Sequence, residues 1–89
     1  MAEREITIRN KLGLHARAAA KLVTLASRFD SEIRLRKGDR TVNGKSIMGV
    51  LMLAAGQGTR LRVEAEGGDA RDALEKIEEL IRERFGESE

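Results

Sequence analysis

The chain has 89 residues, enough for one domain spanning 1–89 with one core. It is too short for the deep cleft of a self-sufficient metabolic enzyme, so any chemistry is expected to be shared with a larger partner. Seventeen Lys and Arg against 15 Asp and Glu give a net charge of +2. The signs are interspersed and the only aromatics are Phe29 and Phe85, which disfavours nucleic acid as a partner because neither a concentrated basic footprint nor a stacking platform is present.

Cysteine is absent, which excludes disulfides, thiolate nucleophiles and Cys-ligated metals and fits a reducing compartment. The N-terminal stretch "MAEREITIRN" is charged from its third residue and lacks an apolar segment of the kind a secretory signal carries. The longest apolar run, "VLMLAA" at 50–55, is far short of the roughly 20 residues that span a bilayer. A soluble, cytoplasmic protein without membrane insertion is expected.

In chain order, "EITIR" at 5–9 alternates, with Ile6 and Ile8 on one face, and predicts a half-buried strand. "NKLG" at 10–13 breaks it. From 16 to 29 the apolar spacing becomes helical, with Ala19, Leu22, Val23, Ala26 and Phe29 on one face. Alternation returns at 32–36, "KGD" at 37–39 reads as a turn, and 40–43 completes a hairpin. Ser46 is placed to cap a short helix over 47–53. After "GQG" at 56–58, the stretch "TRLRVEAE" points Leu61, Val63 and Ala65 inward. Asp69 is expected to cap a last helix whose stripe runs through Ala70, Ala73, Leu74, Ile77, Leu80, Ile81 and Phe85.

The order is βαββαβα, and every strand has one apolar and one charged face. This predicts an α+β open-faced β-sandwich, with a four-stranded antiparallel sheet and three helices on one face.

Two stretches carry candidate chemistry. In "GLHARAAAKLV" at 13–23, the only His of the chain, His15, sits just before a helix whose first N–H groups lack intrahelical partners. A cation is disfavoured at that end, so the imidazole is expected to stay neutral, with a ring lone pair available as a nucleophile. A phosphoryl group placed on it would meet the N–H groups of the first turn, with the fixed charge of Arg17 beside them. The plain alternative is an ordinary surface or capping His. No second His or Cys exists to complete a metal site, so neither a metal nor a cofactor is expected.

The second stretch is "NGKSIMGVLML" at 43–53. Gly-Lys-Ser ends a P-loop motif, but that motif needs Gly at position 39, which is Asp, and Gly38 is one residue too early. What remains is a Ser at a helix start, followed by seven residues of which six are apolar. Two turns of helix on a sheet cannot bury all of them. Ile47, Met48, Leu51 and Met52 therefore read either as a short core helix or as a docking patch, a use for which Met is well suited.

Placed in a βαββαβα chain, "GLHARAAAKLV" and "NGKSIMGVLMLAAGQGT" resemble the HPr phosphocarrier family of the bacterial phosphotransferase system. The likeness extends from "EITIRN" to the last helix. It implies a carrier, not an independent enzyme, that takes a phosphoryl group from enzyme I, charged by phosphoenolpyruvate, and passes it to His residues of IIA domains for sugar uptake. His15 matches the phosphoryl acceptor, through Nδ1, and Arg17 its companion cation. Ser46 matches the regulatory Ser modified by HPr kinase/phosphorylase. Ala16, Ala20, Ile47, Met48, Leu51 and Met52 are the implied partner surface, on a monomer that meets its partners in turn. The family pattern has Pro where this chain has Ala18, which opens the alternative of a nitrogen-related phosphocarrier. A small RNA-binding α+β domain is the alternative from a different class.

Overall fold

The computed structural model describes residues 1–88, so the last residue of the expected 1–89 domain lies outside the described part. The elements are β1 (Ala2–Thr7), α1 (Ala16–Ala26), β2 (Glu32–Lys37), β3 (Arg40–Asn43), α2 (Ile47–Met52), β4 (Arg60–Glu66) and α3 (Ala70–Arg82), followed by a 3₁₀ turn, Arg84–Gly86. All pairings in the sheet are antiparallel, in the order β1-β4-β2-β3.

Alternation decides which side the helices cover. Ile6 on β1 pairs with Leu61, and Val63 and Ala65 of β4 pair with Leu35 and Ile33 of β2. These six side chains are buried and share one core with Ala18, Ala19, Leu22 and Ala26 of α1, Val50 of α2 and Ala73, Leu74, Ile77 and Ile81 of α3. Each fully buried aliphatic side chain contributes on the order of 1.5–3 kcal/mol. The opposite face carries charge. Arg34, at its centre, lies 3.2 Å from Glu32, 3.2 Å from Glu64 and 3.4 Å from Glu66. Glu64 is thereby buried despite pointing outward, because the guanidinium that covers it also neutralises it.

Several element ends differ from the sequence expectation. The first strand is Ala2–Thr7, not 5–9; Ile8 is still buried and tied to the start of β4, its N–H donating to Thr59 O at 2.9 Å and its carbonyl accepting from Gly58 N at 2.8 Å. The first helix stops at Ala26, three residues short of Phe29. There the N–H groups of Arg28 and Phe29 turn to the carbonyls three residues back, which tightens the last turn. Phe29 and Val23 pack only at the margin of the core.

The last helix ends at Arg82, and Phe85 is buried from the 3₁₀ turn, with positive φ at Arg84 and Phe85. Asp69 does not cap α3 through its side chain. Its carboxylate instead accepts hydrogen bonds from the backbone N–H groups of Asp30 and Ser31, both at 2.9 Å, and from the Ser31 hydroxyl. The same group can cap its own helix or pin the neighbouring loop, and three donors from the α1–β2 connection win.

The short α2 is held from outside. Only Val50 of its residues is buried. Its C-terminal carbonyls take cations from the hairpin: Arg40 Nη1 donates to Met52 O at 2.7 Å, and Lys37 Nζ to Leu53 O at 3.0 Å and Ala54 O at 3.3 Å. Cations at a C-terminal helix end satisfy orphan carbonyls and complement the dipole.

Candidate functional site

His15 is the N-cap of α1, with extended backbone (φ −76°, ψ 179°). Two features of the preceding turn fix it there. Gly13 has φ +67°, and a Cβ at that position would lie 2.4 Å from Ala55 O; only Gly allows the chain to pass so close to the 55–56 backbone. Leu14 then donates its N–H to Ala55 O at 2.8 Å and buries its side chain. The next residue is thus delivered to the helix start.

The two ring nitrogens meet different partners. Nδ1 accepts a hydrogen bond from the Arg17 backbone N–H at 3.3 Å, so it carries the lone pair and the proton sits on Nε2. Nε2 donates to the Glu87 carboxylate, which arrives from beyond the 3₁₀ turn. Glu87 Oε1 also accepts from the amide of Asn10 at 3.0 Å. The hydrogen bond from His15, and after it the one from Asn10, hold the Glu87 carboxyl below its ordinary value, more than offsetting the opposite effect of burial.

Asn10 is fully buried, and its second amide hydrogen goes to Gly13 O at 2.8 Å. Both donors being used this way, Asn10 Oδ1 has no hydrogen-bond partner among the described residues. Lys21 Nζ donates to Phe85 O at 2.5 Å, fastening the C-terminal turn to the side of α1.

The first turn of α1 contains no acidic residue, so the positive end of its dipole is not neutralised from within the helix. Arg17 is exposed and, with Lys11, Leu12, Ala16, Glu87 and Ser88, lines an open cleft beside the ring. The arrangement leaves Nδ1 without a proton beside the backbone N–H groups of the first turn, with Arg17 at the same cleft, and keeps the ring oriented through Nε2.

Ser46 is the N-cap of α2, where its Oγ accepts from Gly49 N at 3.1 Å. Of the expected partner surface, Ile47 (39%), Met48 (65%) and Met52 (61%) are exposed, whereas Leu51 is half-buried against the core. Ala16 and Ala20 are exposed on α1, which packs against α2.

Sequence reasoning missed three residues of this region. Leu12 is 67% exposed at the His15 cleft. Glu87 supports the ring directly and Asn10, from the opposite end of the sequence, supports Glu87. The only signals were the placement of Asn10 directly before the Gly13 turn and of Glu87 directly after Gly86, a stop for a helix whose stripe seemed to run through Phe85.

The likeness to known proteins covers the whole chain. A phosphocarrier protein HPr from Cupriavidus necator is 51% identical over 89 residues, spanning 100% of both chains. A phosphocarrier protein NPr from Shewanella violacea is 46% identical over 86 residues, covering 97% of this chain and 94% of that one. The crystal structure of HPr-C-His from Thermoanaerobacter tengcongensis superposes with a TM-score of 0.97 at 45% identity, covering both chains completely. An HPr dimer from the same organism gives 0.79 at 46% identity, covering 98% of this chain and 100% of that one. Residues 2–83 match the family described as "PTS HPr component phosphorylation site", and with a lone imidazole poised at the start of α1 this chain belongs to the HPr family.

Proposed function

We propose that this chain is a phosphoryl carrier of the phosphotransferase system that accepts its cargo on Nδ1 of His15 from enzyme I and passes it to His residues of IIA domains. The observation that carries this reading is the tautomer the geometry selects: Nδ1 without a proton, accepting from the first turn of α1, and Nε2–H donating to Glu87. Each hop is an in-line displacement in which positioning and charge neutralisation do most of the work. Arg17 and the N–H groups of α1 stabilise the oxygens, and the partner completes the site. The chain acts as a substrate of enzyme I and of IIA domains and is not itself an enzyme; it works as a monomeric, cytoplasmic unit over 1–89 without metal or cofactor.

Ser46 is the proposed regulatory position, modified by HPr kinase/phosphorylase. A phosphate there adds about −1.5 to −2 charges at a helix N-terminus, which favours the helix. Inhibition therefore comes from blocking the partner, by repelling acidic groups of enzyme I and covering Ile47, Met48 and Leu51. Met52, Ala16 and Ala20 complete the docking surface in this reading.

A second reading, a nitrogen-related phosphocarrier with regulatory output, is favoured by Ala18, which is fully buried at the position where the family pattern has Pro, and by the NPr relative. The test of the main reading is incubation with enzyme I and labelled phosphoenolpyruvate. Label on wild type and none on His15→Ala supports it, and equal labelling of the two overturns it. Sugar-specific against nitrogen-specific IIA acceptors then separate the two branches.

A further inference from the structure

We propose that Glu87 is a positioning residue for phosphoryl transfer, acting through Nε2 of His15 as the orienting carboxylate of a three-member relay: Asn10, Glu87, His15. The proposal rests on the carrier reading above and adds a role for the C-terminal turn.

The geometry gives each member one task. Asn10, fully buried, holds one carboxylate oxygen of Glu87 at 3.0 Å while the other oxygen accepts the hydrogen bond from Nε2–H. The Glu87 side chain retains only 17% exposure and that of His15 27%, so the contact is partly shielded from water and the screening that empties most surface ion pairs of value is reduced. The carboxylate is brought there because α3 unwinds at Arg84 and Phe85, both at positive φ, Phe85 is buried, and Lys21 clamps its carbonyl.

The chemistry follows from where charge develops. The Arg17 N–H first gives up its hydrogen bond to Nδ1; as the freed lone pair forms the N–P bond, the bond from phosphorus to the donor's leaving group breaks and its electron pair leaves with the donor. The proton stays on Nε2, so the imidazole ring acquires positive charge, and Glu87 lies against that charge without taking the proton. In the onward step the N–P bond breaks, its pair returns to Nδ1, and the ring departs as neutral imidazole because Nε2 has kept its proton. An Asp behind a catalytic His orients and stabilises the ring in the same manner in hydrolases.

The test uses the full chain and two variants, Glu87→Ala and Glu87→Gln. Nitrogen-15 spectra of His15 in the unphosphorylated protein at neutral pH read the tautomer without any partner. Wild type is expected to show Nε2–H almost exclusively, Glu87→Ala a mixture, and Glu87→Gln a pattern between the two, because its one amide oxygen can accept from Nε2 only by turning its NH2 group onto the Asn10 donor. Transfer from enzyme I should fall about 10-fold or more in Glu87→Ala, less than the roughly 10²–10⁴ that a group transferring a proton contributes because Glu87 only orients the ring, and by a smaller factor still in Glu87→Gln. Wild-type tautomer and rate in Glu87→Ala overturn the proposal while leaving the carrier reading intact. Failure of wild type itself to take label on His15 overturns the carrier reading instead.

Discussion

Two helices of this molecule begin on a side chain that caps them and that the family resemblance singles out, yet the two ends are built differently. At α1 the cap is His15, and its surroundings are fixed by the local bond of Asn10 to Gly13 and by contacts from distant parts of the chain: Gly13 against Ala55, Asn10 on Glu87, Lys21 on Phe85. At α2 the cap is Ser46, whose side chain makes one bond, to its own helix, on a segment with a single buried residue and an apolar flank open to solvent. A group that does chemistry needs its orientation determined by several independent contacts, whereas a group that only has to receive a modification needs access and a tolerant helix. In the proposed function the first end is the site and the second a switch position on a docking surface.

The largest effect expected from breaking that contrast is His15→Ala, which should abolish loading by enzyme I and phosphoenolpyruvate while leaving the circular dichroism spectrum unchanged. Next comes Ser46→Asp. It should slow loading by about 10-fold or more through repulsion and a blocked approach, yet keep its melting temperature, since Asp caps as well as Ser; loss of α2 in hydrogen exchange would refute this. Removing the support of the first end by Phe85→Ala should cost about 3–5 kcal/mol in denaturant unfolding and release the C-terminal turn. Ser46→Ala should leave loading within a factor of about two and cost about 0.5–2 kcal/mol.

The smallest effect is with pH. Glu87 and Asp69 are both held below the ordinary carboxylate value, Asp69 chiefly by the Ser31 hydroxyl and the Asp30 N–H. A lowered value in the folded state means the stabilisation is present above the unfolded carboxylate value and is lost as pH falls through the folded one. The stability difference between wild type and Asp69→Asn should therefore shrink on acidification below about pH 4, read from unfolding curves at stepped pH.

Much of the fold was legible because the strands alternate cleanly and the helices repeat at 3.6, so faces and order follow from local pattern. Helix ends were less so. Phe85 fits the stripe of α3 by spacing, but the chain leaves the helix after Arg82 and buries the ring from a left-handed turn instead. Asp69 has the composition of a cap, yet the loop across from it offers better donors. The environment of the His15 ring was half legible: the helix end beside it follows from sequence, whereas a carboxylate 72 positions away reaches the ring only through the tertiary path of that same turn.

The most direct measurement is phosphorus-31 and nitrogen-15 NMR of the protein loaded by enzyme I and phosphoenolpyruvate. The account predicts one phosphoramidate, on Nδ1 of His15. A phosphate on Nε2, on another residue, or none at all would contradict it.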